Sequence, residues 1–288
     1  MHNAVTSPIT PRELSEIRSF IEQRSGMAFD ESRARFFTAR VVQHMAAKSI
    51  SGGPELLRVI KNSNSEYDAL LERVLTQETS FFRYPEMFRA FETSVLPRMQ
   101  LRKRWSEPRT LRVWSAGCST GEEPYSIAMS ISDALEFSDT WDIQILATDV
   151  SRRALQAAEA GRYSRRALAS LKPERIAAHF TPNGDEYVVR PKLREWIDFV
   201  PLNLAQMIYM GRFDCIFCMN VLIYFSAELR VNLIRRFARY LEPGGYLFLG
   251  HAESAANARV ELDPRMINGS LIYQKPELVP AGEAGQRS

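Results

Sequence analysis

Two carboxylates, Glu122 and Glu123, open a helix directly behind a glycine loop in the run LRVWSAGCSTGEEPYSIAM. Strand, glycine loop and helix start, in that order, mark the place where a doubly wound α/β fold binds a nucleotide-containing ligand. Gly117 and Gly121 leave room for close backbone approach. A dinucleotide would set its pyrophosphate at this helix N-terminus, where two carboxylates repel it. A ligand with cationic groups and no phosphate suits the pair better. Acidic residues also favour helix N-termini through the helix dipole alone, so the pair needs corroboration.

Asp149 supplies it. It stands at the C-terminal end of the next strand, 28 residues past Gly121, where a carboxylate accepts both ribose hydroxyls. S-adenosyl-L-methionine, with an ammonium, a sulfonium and a ribose, is the common ligand of this description. A third signal, Glu242-Pro243-Gly244-Gly245, turns a helix into a strand. The remaining chemistry-bearing residues have plainer readings. Cys215 and Cys218 lie in a buried strand, FDCIFCM, whose odd spacing sends the thiols to opposite faces and argues against a metal or redox pair. Three cysteines make no paired framework. His44 and His179 fall in helical patterns, and His251 is a strand-end residue. The paired arginines at 152, 153, 165, 166, 235 and 236 are dispersed over helix faces and form no nucleic-acid stripe.

Positioning these groups requires two kinds of texture. Up to about residue 96 the chain reads as helices. Thr10-Pro11-Arg12-Glu13 forms a capping box, followed by Leu14, Ile17, Phe20 and Ile21 on one face until Gly26. Further helices are expected from Glu31, from Pro54, from the Ser65 region, and from Pro85 to just before Pro97. From residue 109 short apolar strands alternate with helices, which implies a mostly parallel, doubly wound sheet. Residues 162–195 interrupt the alternation as a small antiparallel excursion. The resulting division is a helical domain at 10–96, a linker at 97–108, an α/β domain at 109–275 and a disordered tail at 276–288.

Composition narrows the classes. The chain has 288 residues, 45% of them hydrophobic, which excludes a disordered protein, and its net charge is +3. The first 104 residues carry 16 basic against 12 acidic side chains, the rest 21 against 22. That balance is far from one that grips nucleic acid along its length. No apolar run approaches the roughly 18 residues of a membrane span, and the N-terminus lacks a signal-peptide core. A cytoplasmic protein without membrane insertion is expected.

Three long motifs add a specific resemblance. VWSAGCSTGEEPYS, TSFFR at 79–83 and FCMNVLIYF at 217–225 together resemble the chemotaxis receptor methyltransferases, the CheR-type protein-glutamate O-methyltransferases. The likeness runs from the helical front to about Lys275. It implies a Rossmann-type S-adenosylmethionine methyltransferase domain with a small antiparallel β insertion, preceded by an all-helical domain. It also implies methyl transfer from S-adenosyl-L-methionine to glutamate side chains on the cytoplasmic helical domain of chemoreceptors (methyl-accepting chemotaxis proteins), leaving S-adenosyl-L-homocysteine. By matched position, Thr79 and Arg83 close over the cofactor, Glu123 holds its methionine end, Asp149 its ribose, and Asn203 and Leu204 its adenine side; Gly117 and Met219 are further cofactor-binding positions. Asn220 and Tyr224 face the methyl group, with Arg83 and Tyr224 carrying catalysis. Gln77 departs from the family pattern, which usually has asparagine there, and is assigned to the cofactor side. No metal is implied, and a monomer is expected.

The chemistry is coherent with those residues. A glutamate with a pKa of about 4.3 is already ionised near neutral pH and needs no general base to attack a sulfonium methyl. The protein has to align carboxylate, carbon and sulfur and exclude water. An amine or amide methyltransferase is the nearest rival, weakened because Asn220-Val-Leu-Ile-Tyr224 lacks the two prolines of its usual Asn-Pro-Pro-Tyr motif. A non-catalytic cofactor-binding signalling module is opposed by the presence of Arg83 and Tyr224. The turn Thr181 to Glu186 is short for the members that grip a receptor C-terminal tail, which argues against tail binding here.

Overall fold

The computed structural model describes residues 9–29, 31–75, 78–206 and 211–277. Two compact units emerge, Met1–Gln77 with Tyr224–Leu229, and Glu78–Ile223 with Arg230–Ser288.

The first unit is helical: α1 (Pro11–Ser25), α2 (Glu31–Ala47), α3 (Gly53–Asn62) and α4 (Asn64–Val74). The capping box at α1 is complete. The Glu13 amide donates to the Thr10 hydroxyl at 3.3 Å and the Thr10 amide to the Glu13 carboxylate at 2.8 Å. Gly26, at φ +76°, ends the helix in the left-handed cap that glycine adopts without strain. Ile17 and Ile21 of α1, Phe37 and Val41 of α2, Leu56 and Ile60 of α3 and Leu70 of α4 make the core. Each such burial contributes roughly 1.5–3 kcal/mol before conformational entropy is charged against it. The cap of α4 is Ser63, two residues ahead of the expected one, because its hydroxyl accepts the Glu66 amide.

The second unit begins earlier than the sequence texture indicated. Helix α5 (Pro85–Ala90) does not stop before Pro97. It runs through a π-turn, Phe91–Val95, into α6 (Leu96–Lys103). The π-turn shifts the Leu96 amide onto the Phe91 carbonyl, and that wider turn accommodates a proline that has no N–H and would crowd an ordinary helix interior. Phe88 and Phe91 of this helix pack on Phe217, with ring centroids 6.0 and 5.2 Å apart. Residues 78–108, expected partly as helical domain and partly as linker, therefore belong to the sheet-bearing unit. Helical periodicity continues on both sides of residue 78, which hid the division.

The sheet comprises β1 (Thr110–Ala116), β2 (Asp142–Asp149), β6 (Ile197–Pro201), β7 (Phe213–Cys218), β8 (Leu241–Leu249), β9 (Asp263–Ile267) and β10 (Ser270–Gln274), in the order β6-β2-β1-β7-β8-β10-β9. The first five are parallel, while β10 and β9 add antiparallel. All six residues of β7 are buried, as both faces of a covered parallel strand require. Helices α7 (Glu122–Ala134), α8 (Arg152–Ala160) and α11 (Ala227–Tyr240) follow β1, β2 and β7 in the chain. The insertion forms a separate three-stranded antiparallel sheet, β3 (Arg162–Ser164), β5 (Glu186–Val189) and β4 (Phe180–Asn183), with short helices α9 (Pro173–His179) and α10 (Pro191–Arg194). From β1 the chain moves to β2 on one side and later to β7 on the other. That reversal of strand order opens a crevice at the C-terminal strand ends, where ligands of open α/β sheets bind.

Candidate functional site

Three loops meet at those strand ends. The first, after β1, is bent by Gly117 at φ +88° and Gly121 at φ +96°. A Cβ on Gly117 would come 2.4 Å from Val221 Cγ2, and one on Gly121 would come 2.8 Å from Ala158 Cβ and from the Tyr163 hydroxyl. Close approach does require these glycines, but what approaches within the protein is its own packing. The Gly117 and Cys118 amides both donate to the Thr148 carbonyl, at 2.8 and 2.9 Å, and the Tyr163 hydroxyl donates to the Thr120 carbonyl at 2.8 Å.

The two acids behind the loop differ. Glu122 is turned inward and accepts the Thr120 hydroxyl at 2.7 Å. Burial raises its pKa. Glu123 accepts the Ser115 hydroxyl at 2.7 Å. It keeps some accessible surface, yet desolvation, the largest influence, pushes its pKa up to about 8. The Ser115 hydrogen bond and the positive charge of Arg83 oppose the rise, and the negative charge of Glu253 adds to it. Among the described residues no cationic side chain forms an ion pair with Glu123. A desolvated carboxylate held by one neutral donor suits a cationic ligand group, because ion pairing supplies the stabilisation that burial removed.

Asp149 closes β2. One carboxylate oxygen accepts the Ser119 amide and the other the Ser151 amide, each at 2.9 Å. The Leu202 amide donates to its carbonyl at 2.9 Å, which draws the segment after β6 alongside. In that segment Asn203 Oδ1 accepts the Ala205 amide at 2.9 Å, and Leu204 is buried. The helix cap before α8 is Ser151, while the Asp149 carboxylate organises the loop by accepting the Ser119 and Ser151 amides.

The third loop follows β7. Met219 is buried and Asn220 sits at φ +62°, a left-handed conformation that asparagine tolerates better than most residues. Asn220 Oδ1 accepts the Tyr84 hydroxyl at 2.7 Å. Tyr84 packs against His251 with ring centroids 4.3 Å apart, and His251 Nε2 lies 2.8 Å from Glu86. Arg83 is half-buried and donates to the Glu78 carbonyl at 2.8 Å, while Thr79 is half-buried nearby in the chain. Phe82, at φ +50°, is pinned by its amide donating to Ser126 Oγ at 3.0 Å.

The second unit thus carries Gly117, Glu123, Asp149, Asn203, Leu204, Met219 and Asn220 at or just past its strand ends, and Arg83, in the segment before α5, acts on Glu123 by charge. Tyr224 ends a 3₁₀ turn, Leu222–Tyr224, and groups with the helical unit, where its carbonyl accepts the Ala28 amide at 2.8 Å and the Arg33 guanidinium lies 4.5 Å above its ring. Gln77 lies outside the described residues. Sequence reasoning missed Tyr84, Ser115 and Glu253. Glu253, a carboxylate four residues beyond a buried strand, was the legible signal among them. Among the described residues no group of three His, Cys, Asp or Glu side chains could hold a metal ion, and no helix is long and apolar enough to cross a membrane.

The family model described as CheR methyltransferase, SAM binding domain, matches residues 77–266. A chemotaxis protein methyltransferase 1 of Pseudomonas aeruginosa is 35% identical over 267 residues, covering 89% of this chain and 95% of that protein. The chemotaxis protein methyltransferase of Escherichia coli K12 is 33% identical, covering 89% and 88%. Among solved structures, the N-methyltransferase NodS from Bradyrhizobium japonicum in complex with S-adenosyl-l-homocysteine overlaps 66% of this chain and 88% of its own at 16% identity and a TM-score of 0.36.

Proposed function

The chain belongs to the CheR methyltransferase family, and from that membership we propose that it transfers a methyl group from S-adenosyl-L-methionine to glutamate side chains on the cytoplasmic helical domain of chemoreceptors, forming γ-glutamyl methyl esters. The observation that carries the reading is Glu123. It is a desolvated carboxylate with its pKa near 8, at the switch point of the sheet, with no ion-pair partner among the described residues.

When bound, the cofactor supplies a methyl carbon made electrophilic by its sulfonium. Glu123 holds the ammonium of the methionine end, and Ser115 keeps that carboxylate oriented. Asp149, at the end of β2, takes the ribose hydroxyls, and Asn203 and Leu204 flank the adenine. Met219 and Asn220, at the end of β7, border the reacting methyl. Arg83 orients the incoming carboxylate by charge and hydrogen bonding. No base is required, since the acceptor arrives ionised. Thr79 closes over the cofactor. The protein acts as a monomer in the cytoplasm, where the acceptor domain lies.

Incubation with tritiated S-adenosyl-L-methionine and receptor-containing membranes tests the proposal. Label released as methanol by mild base from receptor-sized bands is the expected result. Base-stable label, or none, would overturn it.

A further inference from the structure

Glu253 is absent from every role assigned so far, yet it is buried where the loops converge. Strands β7 and β8 are parallel neighbours, and past their last paired residues their amides have no sheet partner. The Glu253 carboxylate collects them. Its Oε2 accepts the Gly250 amide at 2.7 Å and the Asn220 amide at 2.9 Å, and its Oε1 accepts the Ile223 amide at 3.3 Å. Gly250 is obligatory, because a Cβ there would stand 2.8 Å from Glu253 Oε2 and 2.9 Å from the Asn220 nitrogen. One carboxylate therefore pins both strand ends and holds Asn220 at φ +62°.

The constraint passes outward. With its backbone pinned, Asn220 presents Oδ1 to the Tyr84 hydroxyl at 2.7 Å, and Tyr84 adjoins Arg83 in the chain. We propose that Glu253 is a positioning residue for methyl transfer, fixing the Asn220 turn and, through Tyr84, the segment that carries Arg83. This rests on the function proposed above. The carboxylate acts on Glu123 as well, by charge. The groups that set the Glu123 titration are Ser115 on β1, Arg83 in the segment before α5, and Glu253 after β8.

The test is Glu253→Gln, which keeps size but removes the charge and turns an amide N–H toward backbone donors. Turnover at saturating cofactor should fall about 10- to 100-fold, while affinity for S-adenosyl-L-methionine at pH 9 stays within about threefold. The acid limb of cofactor binding, read by calorimetry without any acceptor, should move to lower pH, since a negative neighbour of Glu123 is gone. Glu253→Asp, which keeps the charge but shortens the reach, should lose turnover with the limb unmoved. Tyr84→Phe removes only the hydroxyl that Asn220 accepts and should lower turnover about 3- to 10-fold at unchanged cofactor affinity. Should Glu253→Gln fail to fold, Tyr84→Phe decides. Wild-type turnover in a folded Glu253→Gln or in Tyr84→Phe overturns the proposal. If the wild-type protein methylates no receptor, the functional reading fails instead, and the calorimetric limb still reports whether Glu253 acts on Glu123.

Discussion

The two ends of the parallel sheet treat a buried acid in opposite ways. At the N-terminal end Asp214 is 1% exposed and surrounded by partners. Arg102 Nη2 lies 3.0 Å from one carboxylate oxygen, Lys103 Nζ 2.5 Å from the other, and the Arg112 amide donates at 2.9 Å. Arg102 and Lys103 continue to the Pro243 and Thr110 carbonyls, so the ion cluster fastens α6 beneath the sheet. At the C-terminal end Glu123 has one hydroxyl for a partner among the described residues, and its pKa rises to about 8. Burial alone does not mark a functional acid. The mark is burial without the neutralising charge that the fold supplies elsewhere, because that shortfall is available to a ligand.

The sharpest way to break this contrast is Asp214→Ala, which strands Arg102 and Lys103. We expect a loss of roughly 3–5 kcal/mol in denaturant unfolding, with normal turnover per folded molecule. A stable, inactive variant would contradict it. Arg83→Ala should lower methyl transfer about 10²- to 10³-fold with a smaller loss of cofactor affinity, as expected for a group that orients the acceptor. Intact binding with near-normal turnover would remove that role. Glu123→Gln should weaken cofactor binding on the order of 10- to 100-fold while leaving thermal stability equal or higher, since an uncompensated buried charge is removed. A pronounced fall in melting temperature would make Glu123 structural, like Asp214.

The smallest effects lie in pH. The Glu123 pKa in the free protein is raised, so the folded state holds its proton more tightly than the unfolded chain. Its contribution to stability is therefore present below about 4.5 and lost as pH rises toward about 8. Unfolding titrations of the cofactor-free protein should show this decline, flattened in Glu123→Gln. Cofactor binding moves the other way, weakening by up to about tenfold per unit below pH 8 and releasing a proton. That limb should appear in kcat/KM for the cofactor and be absent from kcat at saturation, because the acceptor carboxylate needs no base.

Much of the site was legible before the fold was known. Glu122, Glu123 and Asp149 stand at spacings that strand, loop and helix periodicity places on one end of a sheet, and charge sign alone turned the loop away from phosphate. The helix starts at Pro11 and Pro85 followed from a capping box and prolines, and the one at Glu31 from apolar spacing. What escaped was non-local. Glu253 is an ordinary acid until two strands end beside each other, and Tyr84 is an ordinary aromatic until Asn220 is held open to it. The boundary near residue 78 was missed because the helix through Pro97 has the same periodicity whether its aromatic face meets other helices or a sheet. β9 and β10 were missed too. Their alternation is weak, and four of the five residues of β9 are exposed.

By itself the sequence determined what is encoded in neighbouring residues: the helical front, the alternating α/β portion, the positive-φ glycine loop and the acids behind it. Local sterics and periodicity act over a few residues, so they can be read along the chain. Only the tertiary structure decided which acid would be neutralised and which left for a ligand. Desolvation and charge depend on groups more than a hundred residues apart in sequence, as Asp214 is from Arg102 and Glu253 from Glu123, and those distances exist only once the chain has folded.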